Sequence, residues 1–245
     1  MLAEFLAKVL DIAKPEMHSV KDVHGVETAF STKPLHRIQA EAPKQAPGVP
    51  VSTLKGFADL VHAKLEDGAF QDDFVIHVQD EATVTLKSRK SDDYGRRLTL
   101  IQAKPVPFDQ FRFGTWVDQE TFAIAVASLF ADNEDKAYVL KVASILTNEA
   151  VGTTEDDGFT QRVNVKAGLL QKAVTTLKPR VALAPFRTFP EVTQPVSDFV
   201  FRARGGDSGA TLMLVEADGG RWKIDAIETL RKAMEAYELG IPIVA

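Results

Sequence analysis

From Val51 onward the apolar residues switch between a helical and an alternating spacing, and this switching most constrains the fold: helices and antiparallel strands must share one core. STLKGFADLVHAKLEDG sets Leu54, Phe57, Leu60, Val61 and Leu65 on one helical face, with Ser52 or Thr53 placed to cap it and Gly68 to end it. Three strand runs follow, DFVIHVQD, ATVTLKSR and RRLTLIQAK. The last two alternate in character and flank the turn-forming KSDDYG, so the spacing predicts an antiparallel meander. After Pro105 and Pro107, the aromatic residues Phe108, Phe111, Phe113 and Trp116 lead into VDQETFAIAVASLFADN. Asp118 stands where it would cap a helix buried through Phe122, Val126, Leu129 and Phe130, and DKAYVLKVASILTNEAV supplies an antiparallel partner helix.

The acidic run EDDG at 155–158 marks a sub-boundary near 150–158, after which FTQRVNVKAG alternates like a strand and PRVALAPFRTFPEV returns to β structure. SDFVFRAR, ATLMLVEA and GRWKIDA, joined by GGDSG and DGG, read as a C-terminal meander of three strands. A last helix is expected over about 226–239, stopping at Gly240. The apolar tail IPIVA is suited to a sheet edge or a partner chain. The expected fold is α+β: an N-terminal and a C-terminal antiparallel meander, a central helical pair, and N- and C-terminal helices, with residues 51–245 as one domain.

Residues 1–50 read differently. A first helix over 2–13 gathers Leu2, Phe5, Leu6, Val9 and Leu10 into one stripe and ends before Pro15. Pro15, Pro34, Pro43, Pro47 and Pro50 then punctuate a stretch of little periodicity, and EAPKQAPGVP reads as an extended arm. So long an irregular arm is unusual inside a compact domain. It is either a tether for a detachable helix or a strap laid across a neighbouring subunit. Leu2, Phe5, Leu6 and Val9, with Ile241 and Ile243 of the tail, are therefore the candidate oligomer contacts.

The absence of cysteine removes disulfides, thiolate zinc sites, iron–sulfur ligation and a cysteine nucleophile, and fits a cytoplasmic location. MLAEFLAKVLDIAKPE lacks the basic-then-apolar order of a signal peptide, and no window approaches the ~18 apolar residues of a membrane span. A formal net charge of -5 argues against a general electrostatic grip on nucleic acid. Two basic groups are the candidate local contacts: Arg89, Arg96 and Arg97, with Lys87 and Lys90, at one turn, and Arg202 and Arg204, with Arg221, near another. Solvated charge at hairpin tips is the plainer reading of both.

Chemical motifs are sparse. Gly206, Asp207, Ser208 and Gly209 spell the GDSG that surrounds a trypsin-like nucleophile, but none of His18, His24, His36, His62 and His77 has a matching context, and these residues suit a tight hairpin. No two histidines fall at i,i+3 or i,i+4, and DNEDK at 132–136 lacks the glycine and glutamate of a calcium loop. No phosphate loop opens a helix. The string FDQFRFGTW could stack bases, although its lead into an apolar helix favours core packing. No catalytic, cofactor-binding or metal-binding residue is assigned, and no cofactor is expected.

APFRTFPEVTQPVSDFVFRAR followed by LVEADGGRWKIDA, with WVDQETFAIAVASLFADN, resembles the YfdQ-like family of phage and prophage proteins over about residues 50–226. The resemblance implies a phage-linked origin and a bacterial cytoplasm, and no reaction. Three functions stand as expectations: a non-enzymatic homo-oligomer, possible as a large closed particle, built by exchange of the N-terminal arm; an accessory nucleic-acid-binding factor in phage replication or recombination; and a small-ligand binder or hydrolase.

Overall fold

The computed structural model describes residues 2–13, 16–23, 25–31, 37–38, 44–63, 73–146, 152–156, 161–167, 171–206 and 209–245. The fold is α+β, with two hydrophobic cores, each formed where helices cover one face of a sheet.

The first core lies on a five-stranded sheet. Strands β5 (Phe74–Asp80), β6 (Thr83–Ser88) and β7 (Thr99–Ala103) form the expected antiparallel meander. Two short strands extend it in parallel: β4 (Val49–Val51) beside β7, and β15 (Ile243–Val244) beside β5. Pro50 is tolerated because β4 is an edge strand. Helix α2 (Leu54–His62) buries Leu54, Phe57, Ala58 and Val61 against Ile76, Leu86 and Ile101. Leu65 and Gly68, which the sequence adds to this helix, lie outside the described residues.

The second core lies on the antiparallel sheet of β12 (Arg180–Leu183), β13 (Ser197–Gly206), β14 (Gly209–Glu216) and β8 (Val117–Asp118). Helices α3 (Gln119–Leu129) and α4 (Glu134–Ile145), the expected central pair, cover it. Asp118 caps α3 through the Thr121 amide at 2.9 Å, and Asn133 caps α4 through the Lys136 amide at 2.7 Å. Phe111, Phe113, Phe122, Phe130, Phe199 and Phe201 interlock here at ring separations of 5.0 to 6.4 Å, so these aromatics pack the core. The buried Lys136 ammonium donates to the carbonyls of Ala127 and Phe130 and to Asp132, tying the end of α3 to the start of α4.

Two expectations need correction. GRWKIDA is not a third C-terminal strand: α5 runs over Arg221–Glu235, and the C-terminal meander is instead β12, β13 and β14. Trp222, Ala226, Leu230 and Met234 are buried at a spacing of four, whereas Ile224, which strand alternation would bury beside Trp222, is 69% exposed. Asp218 starts the helix by accepting from the amides of Gly220 and Trp222. The N-terminal arm is also not wholly irregular. After α1 (Leu2–Ala13), β1 (Met17–Lys21) and β2 (Glu27–Ser31) form a hairpin that β3 (Arg37–Ile38) joins. Its turn is made by Asp22, whose carboxylate accepts from the Val26 amide, and by Gly25 at φ 81°. Within EAPKQAPGVP, residues 44–48 carry no regular structure and 41–43 lie outside the described residues.

A further sheet, β9 (Gly152–Asp156), β10 (Gln161–Ala167) and β11 (Gln171–Thr176), takes its middle strand from the expected run FTQRVNVKAG, of which Phe159, Thr160 and Gly168 lie outside the described residues. The chain joins its two cores through residues 184–197. Pro185 bridges Phe130, the Phe186 amide bonds the Leu129 carbonyl, and Phe189 enters the first core. Buried Gln194 holds this segment in shape: its Oε1 accepts from the Arg187 amide, and its Nε2 donates to the Phe189 and Val192 carbonyls.

Candidate functional site

Helix α1 is strongly two-sided. Leu2, Phe5, Leu6 and Val9 share one face, and Glu4, Lys8 and Asp11 the opposite one. The apolar face is 76%, 66%, 51% and 43% exposed at those four positions, and among the described residues neither core takes a side chain from before Val51. The tail residues proposed alongside them differ. Ile241 is buried in the first core and Ile243 pairs with Ile76, so IPIVA completes the edge of its own sheet.

A second apolar surface lies where the two cores meet. A cleft of about 570 Å³ opens between the start of α2, the loop after β7, the end of α3 and the segment that joins the cores. Phe108, Leu129 and Phe186 are half-buried along it, and Val106 is 62% exposed. Polar groups stand among them: Ser52, Thr53, Asp109, Ser128 and Glu191. Glu191 is committed structurally, since its carboxylate accepts from the Leu54 and Lys55 amides at 2.7 and 3.1 Å and caps α2 from far along the chain. This volume lies inside the roughly 300–1,000 Å³ typical of recognition sites.

The two basic groups lie on separate sheets. At the β6–β7 turn, Arg96 pairs with Asp92 at 2.8 Å and lies over the Tyr94 ring, and Arg97 donates to the Arg89 and Ser88 carbonyls. Three backbone and side-chain donors from Arg96 and Tyr94 hold Asp92 below its usual carboxylate range; the Arg96 amide contributes most. These arginines build the turn. On β13, Phe199, Phe201 and Ala203 are buried, which puts Arg202 and Arg204 on the opposite face of the sheet. There Arg204 stacks on Trp116 at 4.2 Å and its Nε donates to Thr211.

Arg187, which the sequence does not single out, is a buried cation held among three aromatic rings. It lies 4.2 Å from the Trp222 ring and 5.5 Å from those of Phe113 and Phe199. Its guanidinium donates to Glu216 at 2.5 Å and Ser197 at 2.9 Å, leaving Nε without a partner. Burial lowers its pKa, opposed by the charges of Glu216 and Asp218. The cage draws on β13, β14 and α5, so its part is to lock α5 onto that sheet.

No group of three metal-ligating side chains occurs among the described residues. His18, His62 and His77 are dispersed over β1, α2 and β5; His24 and His36 lie outside the described residues. Burial, with Lys87 nearby, lowers the His77 pKa. Gly206 pairs with Gly209, so the GDSG string spans a hairpin connection, and its Asp207 and Ser208 lie outside the described residues. No helix among the described residues is long and apolar enough to cross a membrane. What these surfaces can do chemically is bind, through an amphipathic helix and an apolar cleft. No family model, no curated protein and no solved structure matches the chain.

Proposed function

We propose that the chain is the subunit of a homo-oligomer assembled by exchange of α1, with a binding rather than a catalytic role. The observation that carries this reading is the exposed stripe of Leu2, Phe5, Leu6 and Val9 on a helix of 12 residues. Helices of about that length are marginal alone in water, so α1 needs a surface to cover its apolar face. A bilayer is the poorer candidate, because the polar face carries Glu4, Lys8 and Asp11 rather than the lysines and arginines of a membrane-surface helix.

Covering what the four side chains still expose, a little over two side chains' worth, would contribute on the order of 4–7 kcal/mol. Association costs on the order of 4–15 kcal/mol in lost freedom, so one exchanged helix is marginal and reciprocal exchange is the stable arrangement. Closed symmetric assembly satisfies this, because every copy then gives one helix and receives one. The YfdQ-like resemblance suggests the setting, a bacterial cytoplasm carrying a phage or prophage. Light scattering should return a multiple of the 26.8 kDa chain mass, and Phe5→Asp should lower it. A wild-type mass of one chain across the micromolar range sinks the reading.

A second reading is favoured by one observation, the Arg204–Trp116 stack beside Arg202 on an outer sheet face. Aromatic and guanidinium planes together suit single-stranded nucleic acid. It ranks lower because the chain carries a formal charge of -5 and Arg204 is already engaged by Thr211. A titration with single-stranded DNA at low salt that shows no binding ends it.

A further inference from the structure

We infer that the outer face of the second sheet is a track for single-stranded nucleic acid, running from Trp116 and Arg204 past Arg202 to Arg180. This inference rests on the second reading above and adds the residues and the path.

The pairing register sets the face. Phe199, Phe201 and Ala203 of β13 and Leu212 and Leu214 of β14 are buried in the second core. The residues between them stand on the opposite side: Arg202 and Arg204 on β13, with Met213 and Thr211 directly across from them on β14. Arg180 joins this side, because its neighbour Val181 enters the core while Arg180 itself pairs with Val200. Trp116 precedes Val117, which packs on the core, and its ring lies 4.2 Å from the Arg204 guanidinium. Arg180 and Arg204 are exposed, and Arg202, Met213 and Trp116 are half-buried, so the face is open to a partner.

The charge of the face differs from that of the chain. The chain carries a formal charge of -5, whereas Arg180, Arg202 and Arg204 stand here with Asp118 and Asp198 as the facing carboxylates among the described residues. The Asp118 carboxylate accepts from the Thr121 amide in the cap of α3. Asp198 lies about 20 Å along the strand from Arg204, so the end of the face that holds Trp116 is the basic one.

Each group has a counterpart in a single strand. Guanidiniums neutralise phosphates, and Arg202 and Arg204 follow each other at about 7 Å along β13. Thr211 takes only the Nε of Arg204, whose two terminal amino groups have no hydrogen-bond partner among the described residues. An indole or guanidinium plane stacks an unpaired base whatever its identity. Bases within a duplex already stack on each other and offer no free plane, so the occupant is single-stranded.

The chain has two tryptophans, and Trp222 is buried, so a base stacked at Trp116 is read as quenching of fluorescence. Oligothymidylate of about 12 nucleotides is titrated at low salt, and affinity is followed by anisotropy of the labelled strand. Arg204→Ala and Trp116→Ala should each weaken binding about tenfold or more. Arg180→Ala should reduce the slope of log affinity against log salt by about 0.7, the value of one phosphate contact on a single strand. Arg221→Ala, which removes the same charge from α5, should leave binding nearly unchanged. Arg180 and Arg204 are exposed, so their variants carry the test even where Trp116→Ala disturbs the core.

If oligothymidylate binds but Arg180→Ala and Arg204→Ala behave like Arg221→Ala, the strand lies elsewhere: the inference falls and the second reading stands. Thymidine monophosphate binding as tightly as the oligomer also overturns the inference, because a track gains affinity with each phosphate it holds. No binding at low salt removes both.

Discussion

Arg187 shows how one side chain can hold two halves of a molecule together. Its guanidinium stacks on Trp222 of α5, pairs with Glu216 of β14 and bonds Ser197 of β13, while its backbone amide is held by Gln194. Lysine has neither the planar face nor the forked donors. Arg187→Lys should therefore lower stability by about 2 kcal/mol, and Arg187→Ala by about 3 kcal/mol, because Glu216 loses its cation and the Trp222 ring the plane stacked on it. Urea denaturation measures both; equal stability of Arg187→Lys and wild type would remove the stacking argument. Asp218 contributes through charge. Burial pushes its pKa up, but hydrogen bonds from Ser197 and the amides of Gly220 and Trp222, with the charge of Arg187, outweigh this and leave it below the ordinary 3.8. A carboxyl depressed on folding stabilises above its unfolded pKa, and that contribution is lost as pH falls through the folded value. Asp218→Asn should thus melt below wild type at pH 7, with the two curves converging as the pH falls below 3.8 and through the depressed folded value. Asp118 and its cap were legible because a capping residue acts on its own helix. Arg187 was not, because its partners come from four separated parts of the chain.

Among the elements, α5 and β4 were the hardest to read. Trp222, Ile224 and Ala226 alternate as well as any strand does, and only the wider spacing to Leu230 and Met234 discriminates. The helical reading has a direct consequence: Ile224→Lys should change stability by less than about 0.5 kcal/mol, whereas Trp222→Ala should cost about 3–5 kcal/mol. Similar losses at both positions in thermal unfolding would favour the strand. Strand β4 depends on a close approach. A Cβ added at Gly48 would lie 2.9 Å from the Thr99 carbonyl oxygen, a backbone atom that cannot turn aside. Gly48→Ala should cost about 1–3 kcal/mol and loosen the arm root, which hydrogen exchange at the Lys104 amide, bonded to the Val51 carbonyl, would register. In the N-terminal hairpin the strand runs are five residues long and β1 is exposed throughout, so no apolar alternation marked it. Its legible signal was the turn, with Asp22 and Gly25.

Across the whole molecule, the cores interleave along the chain. The first draws on residues from the 50s to the 100s and again on Phe189, α5 and Ile241; the second draws on those from Phe111 to Leu214. The chain thus re-enters its first core after building the second, and neither folds from one contiguous segment. Among the described residues, however, neither takes a side chain from before Val51. A variant lacking residues 1–43 should keep a cooperative transition with a Tm within about 2–4 °C of a wild-type chain measured under non-assembling conditions, while losing the assembly mass. A loss of cooperative unfolding in circular dichroism would mean that the N-terminal piece belongs to the fold itself.

The sequence by itself determined what depends on neighbours along the chain: the α+β class, the β5–β7 meander, the central helical pair with its Asp118 cap, and the two-faced character of α1. Each follows from local spacing and turn chemistry, which act over a few residues. The GDSG string likewise resolved as a hairpin connection from its own composition. Only the tertiary structure decided that IPIVA closes its own sheet, that Arg187 joins the two halves, that the arginines at the β6–β7 turn serve the turn, and that an apolar cleft opens where the two cores meet. Those features arise where segments far apart in sequence are packed together, and burial of that kind has no period for a single stretch of residues to display.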